Sequence, residues 1–291
     1  KPLEGEEVLE TLTIYRDAIQ FVHDQTIRLM NKGHSPDEIS HMIQLPPEVS
    51  SSPFVREFYG TVRWSVKSIF NGYLGWFDGN VSNLDPLPSE DYARRLAILS
   101  GGEEKLFEAL QEAVESEDMQ WALQLSDSLL ALNYKIDSTK KLRQEAIQYI
   151  GDRALNPNKR NYFLSSANEL NANYQAEPLL PQTSELLSEI SIDMFFDILS
   201  VRLNPEKAKG IKQRVCFEFD SGNIKTITLR NQIAEVSSEK TNCDILVKTS
   251  EQILKEALAG VRNPIMTVAS GDIETGGQRT NFLNFLSKFA E

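Results

Sequence analysis

The stretch Val215-Cys216-Phe217-Glu218-Phe219-Asp220-Ser221-Gly222-Asn223-Ile224-Lys225-Thr226-Ile227-Thr228-Leu229 divides the chain into two kinds of sequence. Val215, Phe217 and Phe219 alternate with Cys216 and Glu218, the two-residue period of a strand with one buried face. Asp220-Ser221-Gly222-Asn223 supplies turn residues and Ile224 to Leu229 resumes an apolar run, so the whole reads as a β-hairpin. Working downstream, strands are expected at Gln232 to Val236, at Asp244 to Val247 and, around Gly271-Asp272, from Thr267 to Glu274. Helices bracket them: Ile192 to Val201 before the hairpin, Ile253 to Leu258 with Thr249 as cap and Gln252 third after it, and a closing helix bearing Phe282, Leu283, Phe285, Leu286 and Phe289.

Upstream the texture changes. Tyr174 to Gln182, with Pro178 and Pro181, reads as a linker, and everything before it reads as helix. Val8, Leu12, Tyr15, Ile19, Val22 and Leu29 recur at three- and four-residue steps, which places them on one face of a long helix ended by Gly33. Ser35, Pro36 and Glu38 form a capping-box pattern for a short helix to about Ile43. Val55, Tyr59, Val62, Val66, Ile69 and Phe70 predict a helix from Val55 to Phe70, broken near Gly72 and Gly75. Ser89 is expected to cap a helix through Leu99, and shorter helices follow at 103–115, 117–132, 138–153 and 159–171. Paired helices of this length resemble tetratricopeptide-like repeats, although no clean 34-residue self-similarity accompanies them. The fold class expected is α+β: an all-α domain over 1–173, then a smaller domain over 174–291 whose sheet is mainly antiparallel.

The 291 residues suffice for two cores. A formal charge of -12 argues against a general nucleic-acid binder, which draws on clustered Lys and Arg. The acidic run from Glu103 to Asp118 reads as a solvated helix face, with no histidine to make it a metal site. Apolar stretches such as Ile190 to Leu203 are interrupted by Asp193, Asp197 and Arg202, well short of the roughly 20 apolar residues of a membrane helix. The expectation is a soluble chain with no transmembrane segment. Cys216 and Cys243 are read first as two buried thiols, with an inter-strand disulfide as the alternative if their side chains face each other.

Catalytic motifs are absent from the sequence. His23, His34 and His41 show no HxH or HxxxH spacing, and a binuclear metal site needs several ligands converging on each ion. His23 is instead expected to pair with a neighbouring carboxylate or cap a backbone group. There is no GxSxG elbow, no P-loop and no GxGxxG in a strand-turn-helix setting. The chain by itself is expected to turn over no substrate and to bind no metal or cofactor.

One run remains unexplained by a plain helical reading: Gly72-Tyr73-Leu74-Gly75-Trp76-Phe77-Asp78-Gly79-Asn80. It follows Asp24-Gln25-Thr26 and Arg56-Glu57-Phe58-Tyr59-Gly60-Thr61, and precedes Pro86-Leu87-Pro88 and Gly101-Gly102. In that order and spacing these segments resemble the region behind the catalytic domain in the alkylsulfatases of the metallo-β-lactamase superfamily. The later domain resembles the sterol-carrier-protein-like domain at the end of the same enzymes, so the likeness runs from about Val8 to Ala290. It implies a parent that hydrolyses alkyl sulfate esters to alcohol and sulfate, with two zinc ions held by a catalytic domain before Lys1. It further implies a homodimer, with residues 1–173 as the dimerisation domain, and a periplasmic or secreted parent, although the sequence leaves the compartment unread.

Within that resemblance Arg56 and Tyr59, three apart on one expected helix face, are candidates for contacts to the sulfate. Tyr73 and Trp76 are candidates for the pocket wall; the plain alternative makes the aromatic residues core anchors and Arg56 a solvated cation. Tyr134, Tyr149, Tyr162, Phe163 and the Asn156-Pro157 turn are candidates for the dimer face. Phe195, Phe196, Met266, Phe282, Phe285 and Phe289, with Ile198 and Leu199, are candidates for a pocket holding the alkyl chain, against core packing as the plain alternative. A second reading of the whole is a stand-alone protein that binds a lipid or alkyl chain beside a helical scaffold, without catalysis.

Overall fold

The computed structural model describes residues 3–171, 173–174 and 183–289. The chain forms two compact units, Lys1–Ala176 and Glu177–Glu291. Of the expected linker only Tyr174 lies among the described residues.

The first unit is helical. α1 (Glu6–Met30) starts with Glu6 and Glu7, whose charges suit the positive end of the helix dipole. α2 (Pro36–Met42) carries the predicted capping box: Glu38 N–H donates to Ser35 Oγ and Ser35 N–H donates to the Glu38 carboxylate at 2.8 Å. α3 (Pro47–Ser50) is a single turn, and α4 spans Val62–Leu74. The helix expected from Val55 starts seven residues later. Thr61 Oγ1 accepts from Trp64 N–H at 3.1 Å and Glu57 Oε1 accepts from Val62 N–H at 2.7 Å, so the free donors of a helix start are satisfied there. α4 runs through Gly72 and stops at Gly75, whose φ of 78° is open to glycine at little cost.

The α1 face also differs from expectation. Ala18, Val22, Thr26 and Leu29 are buried, Val22 and Leu29 in one cluster with Ile39, Ile43, Val66 and Phe70, whereas Val8, Leu12, Tyr15 and Ile19 are exposed. Length explains the difference: at about 1.5 Å per residue α1 extends ~38 Å and α4 only ~20 Å, so α4 covers part of α1 and no more.

α5 (Ser89–Ser100), with Pro88 rather than Ser89 in the cap position, precedes α6 (Glu103–Glu115), α7 (Met119–Ala131), α8 (Ile136–Arg153) and α9 (Pro157–Glu169). Consecutive helices pack on one another around Leu106, Leu110, Leu125, Leu129 and Ala146. Gly151 lets α8 and α9 approach, because a Cβ there would lie 3.0 Å from Leu164.

The second unit holds α10 (Ser184–Glu189), α11 (Ile192–Val201), β1 (Gln213–Phe219), β2 (Ile224–Arg230), β3 (Ile233–Ser237), β4 (Ile245–Thr249), α12 (Glu251–Leu258), α13 (Pro264–Ser270), β5 (Glu274–Gly276) and α14 (Arg279–Leu286). The sheet order is β3-β2-β1-β4-β5, with β1 parallel to β4 and every other pair antiparallel. The hairpin register sets Val215 opposite Ile227. This is the helical-then-mixed-sheet architecture read from the sequence.

Three local expectations are corrected. Ser250, not Thr249, caps α12, accepting from Ile253 N–H at 3.2 Å; Thr249 closes β4 and donates to Asp272 O at 2.9 Å. Thr267 to Ser270 are helical, because Asn263 caps α13, Pro264 sits in its first turn and Gly271 ends it at φ 91°. Cys216 and Cys243 form a disulfide with their Cα atoms 5.7 Å apart, so the thiols are paired as in the alternative reading, but the bond joins β1 to the loop before β4 and not strand to strand.

Among the described residues of this unit the buried charges Lys225, Lys255, Glu256 and Lys288 all have hydrogen-bond partners. Lys255 Nζ donates to the carbonyls of Leu187 and Ile190 at 3.0 and 2.8 Å, closing the end of α10. Glu256 accepts from Ser184, Arg262 and Gln252, and these hydrogen bonds pull its carboxyl down to about 2.

Candidate functional site

The expected sulfate-contact and pocket-wall residues lie in two places in the first unit. Arg56 and Tyr59 belong to the irregular stretch before α4, so they do not share a helix face. That stretch is tied down from far along the chain: Asn156 Nδ2 donates to Glu57 O at 2.8 Å and Gly60 O at 3.2 Å, and Asn158 Nδ2 donates to Tyr59 O at 2.7 Å. Both asparagines belong to the start of α9, where Asn156 also caps the helix by accepting from Lys159 N–H at 2.9 Å. The anchored loop holds Arg56 at the wall of a recess of about 660 Å³, shared with Arg63, Lys159, Glu57 and Trp64. Three cations against the single Glu57 carboxylate, which accepts from Val62 N–H, leave the recess net positive in a chain that is otherwise acidic. Arg56 also lies over the Phe58 ring, 5.9 Å from its centre, which holds the guanidinium without using its hydrogen-bond donors.

Tyr73 lies in the last turn of α4 and Trp76 follows the Gly75 cap; both are exposed, at 61% and 73%. Trp76 meets Phe77 edge to face, with ring centres 5.7 Å apart. Asp78 then fixes the turn, accepting from Asn80 N–H at 2.9 Å and Asn83 Nδ2 at 2.6 Å, and these bonds hold its carboxyl below the ordinary range. Among the described residues no hydrogen bond or ring contact joins Arg56 or Tyr59 to Tyr73 or Trp76.

Tyr73 has a partner that spacing did not reveal. Its hydroxyl lies 3.0 Å from His23 Nε2, and His23 Nδ1 lies 2.9 Å from Asp24 Oδ1. The carboxylate partner of His23 was legible, since Asp24 is the next residue. The Tyr73 contact, fifty positions away, depends on α1 packing against α4.

The expected alkyl-chain set separates on folding. Phe195, Phe196, Phe282, Phe285 and Phe289 are buried in the core around Phe217, ring against ring, whereas Met266 is 65% exposed. Beside that core lies an open apolar recess of about 300 Å³, lined by Leu199, Leu258, Ile265, Leu283 and Phe289, with Arg202 at its wall. Among the described residues no group of three or more His, Cys, Asp or Glu could hold a metal ion, and no helix is long and apolar enough to cross a membrane.

Two family models cover most of the chain: alkyl sulfatase dimerisation matches residues 35–173 and alkyl sulfatase C-terminal matches residues 181–291. The chain belongs to the alkylsulfatase family. A linear primary-alkylsulfatase of Pseudomonas sp. (strain ATCC 19151) is 31% identical over 302 residues, which is 99% of this chain and 57% of the relative. The alkyl/aryl-sulfatase BDS1 of Saccharomyces cerevisiae is 28% identical, over 99% of this chain and 45% of its own length. The solved stereoselective inverting sec-alkylsulfatase Pisa1 from Pseudomonas sp. superposes with a TM-score of 0.86 at 26% identity, over 99% of this chain and 46% of that one. The chain thus spans about half the length of the alkylsulfatases it matches. Of the residues expected at a dimer face, Tyr134 and Tyr149 spend their hydroxyls on Glu104 and Glu117 within the unit, while Tyr162 is exposed.

Proposed function

We propose that this chain is the noncatalytic C-terminal part of a zinc-dependent alkylsulfatase, which hydrolyses alkyl sulfate esters to alcohol and sulfate. The observation that carries this reading is the uncovered face of α1. Leu12 and Ile19 are 63% and 60% exposed, and Val8 and Tyr15 complete a stripe whose helical spacing leads to His23. An apolar stripe left in water on a long helix marks a docking surface. Its occupant in this reading is the metallo-β-lactamase-fold catalytic domain of the same parent, which would supply every zinc ligand; zinc there would polarise the ester or activate water.

Residues 1–173 then act as dimerisation domain and pocket wall. Arg56 contributes a forked cation to the sulfate group, with Tyr59 beside it, and Arg63 and Lys159 add positive potential. Tyr73 and Trp76 line the pocket next to the docking stripe. Residues 174–291 recruit the aliphatic part of the substrate, for which the apolar recess beside Phe289 is the available space. That recess is also what favours the second reading, a stand-alone binder of alkyl chains or lipids.

The test uses the full-length protein encoded with this chain and measures sulfate release from dodecyl sulfate, with and without a chelator. Chelator-sensitive hydrolysis is expected, as is a rise in KM of about tenfold or more in Arg56→Ala, the size of a lost charge-assisted hydrogen bond. Unchanged constants in Arg56→Ala remove it from the site. A full-length protein that binds alkyl chains but releases no sulfate supports the second reading.

A further inference from the structure

The contact between His23 and Tyr73 carries a consequence for what Tyr73 can bind. Asp24 accepts hydrogen bonds from His23 and, at 3.3 Å, from Gln20 Nε2, and these hold its carboxyl below the ordinary carboxylate range. An ionised carboxylate has no proton to give, so the proton between Asp24 Oδ1 and His23 Nδ1 belongs to the imidazole. In the neutral form of the ring a proton on Nδ1 leaves Nε2 bare, and the only proton then available for the 3.0 Å contact is that of the Tyr73 hydroxyl. The phenol therefore spends its proton inward. Its oxygen keeps its lone pairs for the outside, on a side chain that is largely exposed.

We propose that Tyr73 is a hydrogen-bond acceptor for an O–H group of the ligand, with His23 as the positioning residue that holds it in this role and Asp24 fixing the tautomer of His23. This rests on the reading of the Tyr73 face as a pocket wall, and it divides the work within that wall. An anionic sulfate has only acceptors to offer, so it gains nothing from an oxygen whose proton is committed elsewhere. An alcohol has a proton to donate. The arrangement thus assigns Tyr73 to the hydroxyl end of the alcohol product, or to a water that takes its place, and leaves the sulfate to the guanidinium of Arg56. The relay also explains why two segments 50 residues apart, His23 with the following Asp24-Gln25-Thr26 and the Gly72–Asn80 run, meet through polar atoms.

The test reads binding and not turnover, so that it stands whether or not the full-length protein hydrolyses alkyl sulfates. A water-soluble alkanol such as 1-butanol and, separately, inorganic sulfate are titrated against the full-length wild type, Tyr73→Phe, His23→Ala and His23→Gln. Tyr73→Phe and His23→Ala are each expected to weaken alkanol binding about tenfold and to leave sulfate binding within about twofold, the size of one lost hydrogen bond. The double variant should be no worse than either single one, as for two members of one relay. His23→Gln should retain most of the affinity, because the amide oxygen can still accept from the phenol. His41→Gln on α2, away from the relay, should change nothing. Sulfate binding that falls in Tyr73→Phe overturns the acceptor role, as does alkanol binding that stays at the wild-type value. Two-bond proton–nitrogen spectra of His23 supply the second readout: protonated Nδ1 and bare Nε2 are expected at neutral pH, and the opposite tautomer would overturn the assignment. A wild type that binds alkanol as described yet hydrolyses no alkyl sulfate would remove the enzymatic reading and leave the relay standing.

Discussion

The two units treat their aromatic residues in opposite ways. All three tryptophans and all eight tyrosines of the chain lie before residue 177, and many of these rings are exposed, Tyr15, Tyr59, Tyr73 and Trp76 among them. The second unit has only phenylalanine, and Phe195, Phe196, Phe217, Phe219, Phe282, Phe285 and Phe289 are all buried. Tyr and Trp combine a large apolar body with a polar handle, which suits a surface that meets a partner or ligand; Phe has no such handle and suits a closed core. The second unit also closes its sheet with a disulfide and satisfies its buried charges internally. One region completes itself; the other presents surface still to be covered.

The largest effect that would break this contrast is expected at Phe217. Its ring is fully buried and meets Phe196, Phe219, Phe282 and Phe285. Phe217→Ala should cost about 3–5 kcal/mol, the usual range for a large aromatic removed from a core. Because every tryptophan lies in the first unit, urea unfolding followed by tryptophan fluorescence should keep its midpoint while the circular dichroism transition splits. A fluorescence midpoint that moves in step would show that the units unfold as one.

Next in size is the disulfide. It joins residues 27 apart, and chain entropy assigns such a loop about 3.5 kcal/mol. Reduction, or Cys243→Ser, should therefore lower the melting temperature of the second unit by about 10 °C or more and leave the tryptophan-detected transition in place. An unchanged melt on verified reduction would show that the bond adds nothing to the core.

How much of this was legible depended on whether the deciding contact was local. The hairpin at Val215–Leu229 was readable because a strand period and a turn signal are written in consecutive residues, and the Ser35–Glu38 box because both bonds span three positions. The end signals of α13 were equally local, Asn263-Pro264 before and Gly271 after, but the β-branched residues Thr267, Val268 and Ile273 competed with them. Periodicity identified the apolar stripe of α1, yet a stripe says only that a face is apolar; whether it is buried depends on the length of the helices packed against it. The anchoring of the Arg56–Tyr59 loop by Asn156 and Asn158, and the Tyr73 contact of His23, join positions 50 to 99 apart and had no local signature. The elements could be read, but the polar contacts that build the candidate site could not.

The smallest expected effect is the one that tests the meaning of the exposed face. Leu12 and Ile19 are apolar residues on a helix, and in a closed protein replacing either with glutamate would cost several kcal/mol because a charge would enter the core. Here both side chains already face water, so Leu12→Glu and Ile19→Glu in this chain should shift stability by no more than about 0.5 kcal/mol and should raise solubility. The reverse holds where a catalytic domain lies over the stripe: in the full-length protein the same substitutions bury a charge at the joint, and thermal unfolding should begin at a lower temperature. Measuring the melting temperature of both proteins with each substitution separates the cases. Equal and negligible shifts in the two would mean that nothing docks on α1, while a large loss in this chain alone would mean that the stripe already belongs to a core.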